Sequence, residues 1–546
     1  MNIVGHIASC VLVLVSAGAP PETQEAAVRL DSRQYKRIHI TVMRAVVNGH
    51  IAGAIDALRE YDQAHPGDPE TSYVLAVAYT VGNDIEHARE WVKEAVARGL
   101  PVERFLAGPR GLLAPLVERD AFQQYASERY AEPIHGPMLG DVTSKEAAFW
   151  VRTAREMPVY VRIARSADLE KARRSKVVRT RAETDYTAVV RVDGLKPATT
   201  YYYEVVVGSP GQQSSERGEG RVPGTFRTYP RQGRPAAFRV AFGGGAGYVP
   251  DHERMWNTVR GFEPIAFLFL GDNVYIDDPM RPDIQSYCYY RRQSRLEYRR
   301  LVASTPMYAI YDDHDFGTND CWGGPNIETP YWKRPVWRLF RNNWANPYYG
   351  GGEVRPGCWF DTSIADVDFL FLDCRYYRTD PKEPNPSMLG PAQKRWLFGR
   401  LRNSKAAFKV LVSSVPWATG TKPGSLDTWD GYADEREEIF SFLERNRIGG
   451  ILLLSADRHR SDVWRIERDN GYAMYDFESS RLTNQHVHKK MPGALFSYNE
   501  SQSVGLLDFD TTKADPEVTY TIANIDGESI HSHTVRLSEL SHRRDR

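Results

Sequence analysis

Six short apolar runs set the terms for the C-terminal half of the chain: Phe238 to Phe242, Ile265 to Leu270, Met307 to Tyr311, Phe369 to Leu372, Phe408 to Val412 and Ile451 to Leu454. Runs of this length, separated by longer helical or irregular stretches, are the pattern of buried strands joined by crossovers, an α/β arrangement. Each run is followed by glycine or polar groups: Gly243-Gly244-Gly245, Gly271-Asp272, Asp312-Asp313-His314, Asp373-Cys374-Arg375, Ser413-Ser414 and Ser455-Ala456-Asp457. In open α/β sheets the ligand crevice lies beyond the carboxyl ends of the strands. The fold that these runs require therefore also gathers chemical groups at one edge.

At 546 residues, 42% of them apolar, the chain is globular but too long for one core. The pattern changes twice before Phe238. Residues 33–130 read as helical, with Ile51, Ile55, Leu58 and Tyr61 at three- and four-residue spacing and a turn at His65-Pro66-Gly67-Asp68-Pro69-Glu70. With Gly82, Ala88 and Ala95 this stretch resembles a tetratricopeptide repeat. About one and a half copies are visible, where about three are needed for stability alone, so the region is either a collar on the next domain or a platform for a protein partner. From 132 to 229 the period becomes two, and Leu195-Lys196-Pro197-Ala198-Thr199-Thr200-Tyr201 resembles the corner turn of a fibronectin type III sandwich. Pro230 to Pro235 links this to a catalytic domain over 236–540. Alternation from Val504 to Leu537 predicts a returning strand pair, and Ser541 to Arg546 a frayed tail.

Residues 1–19 read as an export signal, an apolar stretch from Val11 to Val15 followed by Ala17-Gly18-Ala19, and place the mature chain in the periplasm or outside the cell. No other stretch approaches membrane-spanning length. Removal of the signal leaves Cys288, Cys321, Cys358 and Cys374, whose pairing cannot be read from spacing. Lysine plus arginine and aspartate plus glutamate each total 70, so no net field draws the chain to nucleic acid. Phosphate recognition must be local.

Hard metal ions are held by carboxylates, amide oxygens, imidazole and phenolate, and one such residue per loop is what a mononuclear or dinuclear cage needs. Asp272, Asn319, Asp430, Asp457 and His459 supply that set. Because alternate residues at a strand end point the same way, Asp457 and His459 are expected to face one ion. Singly, each is a common turn or surface residue; in ordered clusters after strands they point to a metal centre.

The ordered motifs Phe269-Leu270-Gly271-Asp272 with Tyr275, Tyr308 through Asp320, Leu372-Asp373-Cys374-Arg375-Tyr376-Tyr377-Arg378, Leu389-Gly390 through Gln393, Asp427-Thr428-Trp429-Asp430-Gly431-Tyr432 with Arg436, and Asp457-Arg458-His459 resemble the alkaline phosphatase D-like metallophosphatases. The resemblance covers about Glu132 to the C-terminal region. It implies a multidomain fold, an α/β metallophosphatase domain built as a sheet sandwich flanked by helices and preceded by a β-sandwich. It also implies a metal-dependent phosphoesterase acting on small, lipid or polymeric phosphoesters, with a metal-activated hydroxide as nucleophile. Asp272 would bridge the ions and Tyr275 would offer a phenolate. Asn319 and Asp430, chosen over Asp427, would serve the second ion, with Asp457 and His459 closing the cage. His314 is expected to protonate the leaving group or to hold a carboxylate, and Arg375 to grip phosphoryl oxygens.

One position departs from the family. The first loop reads Gly243-Gly244-Gly245-Ala246-Gly247-Tyr248, and Gly245 stands where the family has a cysteine that ligates iron. Calcium with iron, manganese or zinc is therefore the expected cofactor set. His252 and Cys374 are substitute donors to consider. The competing reading is a catalytically weakened metal- or phosphate-binding protein acting through its helical N-terminus, and the choice between monoesterase and diesterase stays open.

Overall fold

The computed structural model describes residues 28–31, 34–209 and 220–542; the expected export signal and the end of the expected tail lie outside them. The N-terminal region is helical, with Tyr35–Val47, Ile51–Ala64, Pro69–Val81 and Ile85–Ala97 as its longer elements. The predicted turn is real: Asp68 caps the third helix by accepting the Glu70 N–H (2.9 Å), and Pro69 takes the first helical position, where no N–H is needed. Ala54, Ala76, Ala88 and Ala95 are wholly buried, which is how these helices approach one another closely.

Two antiparallel sheets follow. His135–Gly140, Ala147–Arg152 and Thr187–Val192 form one; the other is built around Pro158–Ala164, Thr200–Val207 and Gly220–Arg227. Phe149, Tyr203 and Phe226 pack between them, and the Tyr201 hydroxyl accepts the Lys196 N–H (2.9 Å), closing the turn before Thr200–Val207.

The six apolar runs do become parallel strands, divided three and three between two mixed sheets. The six-stranded sheet runs Met307–Ile310, Ala266–Leu270, Ala237–Gly243, then the antiparallel Ser503–Asp510, Glu517–Asn524 and Ser529–Arg536. The expected returning strand pair is thus a run of three. The seven-stranded sheet places Val367–Phe371, Phe408–Val412, Ile451–Ser455 and Met474–Ser479 in parallel at its centre. The sheets pack face to face through Phe477 on Tyr520 (4.6 Å between ring centroids) and Phe369 and Phe408 on Phe509. An isolated parallel bridge between Gly244 and Ser480 joins the ends of the two sheets. The loops from both sheets therefore open onto one edge.

Helices cover the outer faces. Pro282–Gln293 is buried nearly all round, because the N-terminal helices, the two antiparallel sheets and the loop carrying Ala246 all pack on it. No helix among the described residues is long and apolar enough to cross a membrane. The four cysteines among the described residues are unpaired, and Cys288, Cys358 and Cys374 are buried. Cys374 lies against the Ser413 hydroxyl (3.4 Å) and behaves as a small core residue.

Candidate metal centre

Three loops bring their carboxylates together at the common edge. The first follows Ala266–Leu270 and carries Asp272, held with φ +52°. Its Oδ2 accepts the Tyr275 hydroxyl (2.8 Å), while its Oδ1 is buried without a hydrogen-bond partner. Burial pushes this carboxyl well above its usual range, opposed by His314 and reinforced by Asp313, Asp315 and Asp457. An orphaned carboxylate oxygen among other carboxylates is the arrangement a cation relieves.

The second loop follows Met307–Ile310. Asp315 accepts the backbone N–H groups of Asn273 (3.1 Å), Val274 (2.8 Å) and Asp312 (3.1 Å), so its carboxylate welds the first loop to the second. Asp313 and His314 then stand beside Asp272 with ligand atoms within 4.8 Å of one another, and Asp313, Asp320 and Asp427 form an adjoining set on the same criterion. Asp313 is the residue the two clusters share. The resemblance gave that bridging place to Asp272, which belongs to one of them.

The third loop corrects the expectation for Asp430. Its Oδ2 accepts the Gly420 N–H (2.7 Å) and its Oδ1 accepts Arg436 (3.0 Å), so it braces a loop. Asp427 faces the cage instead, on the near side of a short 3-10 turn, Trp429–Tyr432, pinned by Trp429 stacking on Trp417. Arg375 also departs from its expected role. Its side chain is fully buried, with Nε on Asp312 (2.5 Å) and Nη1 on Asp427 (2.7 Å) and the Cys321 carbonyl (3.1 Å). It orders the acidic loops and has no free edge for a phosphate. Arg378 and Lys422 add further charge to Asp427, which is held well below the usual carboxylate range although burial opposes this.

Asn319 is exposed and lines the cavity over the clusters. Asp457 and His459 lie there too, although their convergence does not come from strand alternation. The strand ends at Ser455, and both residues adopt left-handed backbone, φ +73° and +48°. Asp272 and Asp320 do likewise. Side chains rarely occupy that region, and such strain concentrates at functional loops. His314 is buried with Nδ1 on Asp277, which leaves Nε2 for the site. Burial alone would lower its pKa, but Asp313, Asp272 and Asp277 raise it to about 10.

The centre fits hard cations. Its donors are oxygen and nitrogen, and a buried oxygen has no other partner. At the second cluster the Lys422 ammonium already bonds Asp320 (2.9 Å) and Asp427 (3.1 Å), so an ion there must displace it. Gly245 leaves no vacant thiolate position. A Cβ there would lie 2.8 Å from the Arg481 nitrogen, 2.9 Å from the Ser480 hydroxyl and 3.1 Å from His459 Nδ1, and its φ is +66°. The segment after Met474–Ser479 has closed over the place. His252 is engaged with the Thr483 carbonyl (3.0 Å), as a helix-start residue, and does not substitute.

Asp313 and Asp320 stand inside the Tyr308 to Asp320 motif with nothing in their spacing to mark them as ligands, and Asn484 lies outside every motif. The Asn484 amide donates to the Tyr275 hydroxyl (2.6 Å). The signal was available, since Ser480 to His488 is a polar segment after a strand, the same cue that marked the other loops.

The sequence profile of the PhoD-like phosphatases matches residues 240–520, and that of the PhoD-like phosphatase N-terminal domain matches 121–230. Alkaline phosphatase D of Bacillus subtilis (strain 168) is 23% identical over 385 residues, covering 60% of this chain and 64% of that protein. A solved structure of PhoD superposes with a TM-score of 0.58 at 17% identity, over 73% of this chain and 92% of that one. A purple acid phosphatase from yellow lupin (Lupinus luteus) seeds gives 0.52 at 12% identity, over 73% and 74%. At these identities the two structures speak for the fold.

Proposed function

The chain belongs to the PhoD-like phosphatase family, and from that membership we propose that it is a metal-dependent phosphoesterase hydrolysing phosphomonoesters, phosphodiesters or both. The observation that carries the reading is the pair of ligand clusters sharing Asp313, beneath a cavity of about 600 Å³ rimmed by cationic and imidazole side chains. Asp272 and Asp313 would hold one ion, and Asp313, Asp320 and Asp427 the other, with His314 beside the first and Asn319, Asp457 and His459 at the cavity face. When bound, the ions supply positive charge to the phosphoryl oxygens and acidify water for in-line attack.

The chain's own groups do the rest. His314, oriented by Asp277, carries a proton on Nε2 and offers it to the leaving oxygen or to a phosphoryl oxygen. Arg458 takes the gripping role first given to Arg375. It lines the cavity, pairs with Asp457 (3.2 Å), and its Nε has no partner of its own. The Tyr275 hydroxyl, between Asp272 and Asn484, orients the Asp272 side of the cage.

The donor set lacks a thiolate, which suits calcium and manganese and remains compatible with iron or zinc. Export, fibronectin-like character for 132–229 and repeat-like character for 33–130 belong to the same reading. They are supported by the terminal sequence, the paired sheets and the helix hairpins respectively. The test is hydrolysis of aryl phosphomonoesters and diesters by the metal-loaded protein across calcium, manganese, iron and zinc. Wild type is expected to exceed Asp272→Asn by at least about 100-fold; equal rates would end the enzymatic reading.

A further inference from the structure

The helix Tyr35–Val47 lies outside both stretches matched by the family profiles, 121–230 and 240–520, yet it reaches into the site. Both its ends are fastened to the segment after Tyr275. Arg37 pairs with Asp277 (2.5 Å), Arg44 donates to the Ile276 carbonyl (2.7 Å) and pairs with Asp278 (3.2 Å), and Asn48 accepts Arg281 (2.5 Å). Next to the first of these anchors, Lys36 enters the cavity. Its Nζ donates to Asn484 Oδ1 (3.1 Å) and lies 4.1 Å from the centroid of the Tyr275 ring. The Gly-rich loop makes way for it, since a Cβ on Gly247 would stand 2.9 Å from Asn484 and 3.1 Å from the Lys36 stem.

Of the four lysines and arginines lining the cavity, Arg37, Lys422 and Arg458 each pair with an aspartate. Lys36 has no carboxylate at ion-pair distance among the described residues, Asp272, Asp277 and Asp313 acting on it from farther away, although the residue is only 6% exposed. A buried, unpaired ammonium is costly, and it is retained where an absent anion completes it. Resting on the phosphoesterase reading, we infer that Lys36 binds a phosphoryl oxygen of the substrate, and that this N-terminal extension thereby biases the site toward the dianion of a phosphomonoester over the monoanion of a diester. The added charge favours the more highly charged ligand, and an ammonium donates to a terminal oxygen that a diester has esterified.

The experiment compares full-length wild type with Lys36→Met and Lys36→Gln, the latter retaining a donor for Asn484. The measurements are kcat and KM on an aryl phosphomonoester and an aryl phosphodiester, and calorimetric binding of inorganic phosphate to the metal-loaded protein. The expected result is a rise of about 10- to 100-fold in monoester KM and in phosphate Kd, with kcat changed less and diester KM within about threefold. Thermal unfolding identifies which variant retains the fold, and either one suffices. Should a folded variant keep monoester KM and phosphate Kd within about twofold of wild type, or lose both substrates equally, Lys36 is a structural residue and the inference falls. If wild type itself hydrolyses neither substrate above Asp272→Asn, the phosphoesterase reading falls instead.

Discussion

Asp427 and Asp430 are three residues apart, and spacing alone offers no reason to prefer one as a ligand. The difference is made by the intervening 3-10 turn, whose direction is set by Trp429 stacking on Trp417, a contact between residues twelve positions apart. Asp427 is thereby delivered to Asp313 and Asp320, and Asp430 to Gly420 and Arg436. Asp427→Asn should lower metal occupancy of the second cluster and reduce hydrolysis by about 10- to 100-fold or more, while Asp430→Asn should leave metal content unchanged. Metal analysis of the two purified variants decides it, and the reverse pattern would refute the assignment. The same limit governs Gly245. Its departure from the family was legible in the sequence, but the closure of Ser480 and Arg481 over that position depends on a strand more than two hundred residues away.

At the scale of elements, the parallel strands were legible because their apolar runs are short, buried on both faces and bounded by polar loops. Their division between two sheets was not, since a buried strand carries no mark of its neighbours. Pro282–Gln293 was illegible as a helix for a related reason. Nine of its twelve residues are buried by three different neighbours, so no single apolar face appears in the sequence. Loops carry the remaining specification. Asp315 was read only as part of a motif, yet it satisfies three buried N–H groups across two loops. Asp315→Ala leaves those donors without a partner, at roughly 1–3 kcal/mol each. Loss of about 3 kcal/mol or more in urea unfolding is expected, together with reduced activity, because Asp272 and Asp313 sit on the loops it joins. A variant with wild-type stability would show that other acceptors take over.

On the scale of the whole molecule, the regions share buried polar contacts that bind their stabilities together. Tyr287 stacks on Tyr73 of the helical region, Tyr290 donates to Asp185 of the β-sandwich (2.7 Å), and Arg292 donates to the Ala246 carbonyl of the catalytic domain (2.6 Å). Glu132 sits where the helical region passes into the sandwich, 1% exposed, with one oxygen accepting the Ala154 N–H (2.9 Å) and the other unpartnered. Burial, opposed by the Ala154 N–H and Arg155, raises its pKa to about 7. In the unfolded chain it titrates near ~4.3. The folded state therefore holds its proton over a range where the unfolded state has lost it. Stability is accordingly given up as pH rises from about 4 to about 7, by at most ~1.4 kcal/mol per pH unit, and is level above that. Glu132→Gln keeps an acceptor for Ala154 and removes the titration. Its stability relative to wild type should increase between pH 5 and pH 8, by an amount on the order of 2 kcal/mol. Urea unfolding at the two pH values measures this difference. A constant offset would mean that Glu132 is ionised in the folded chain throughout, and that Arg155 compensates its burial.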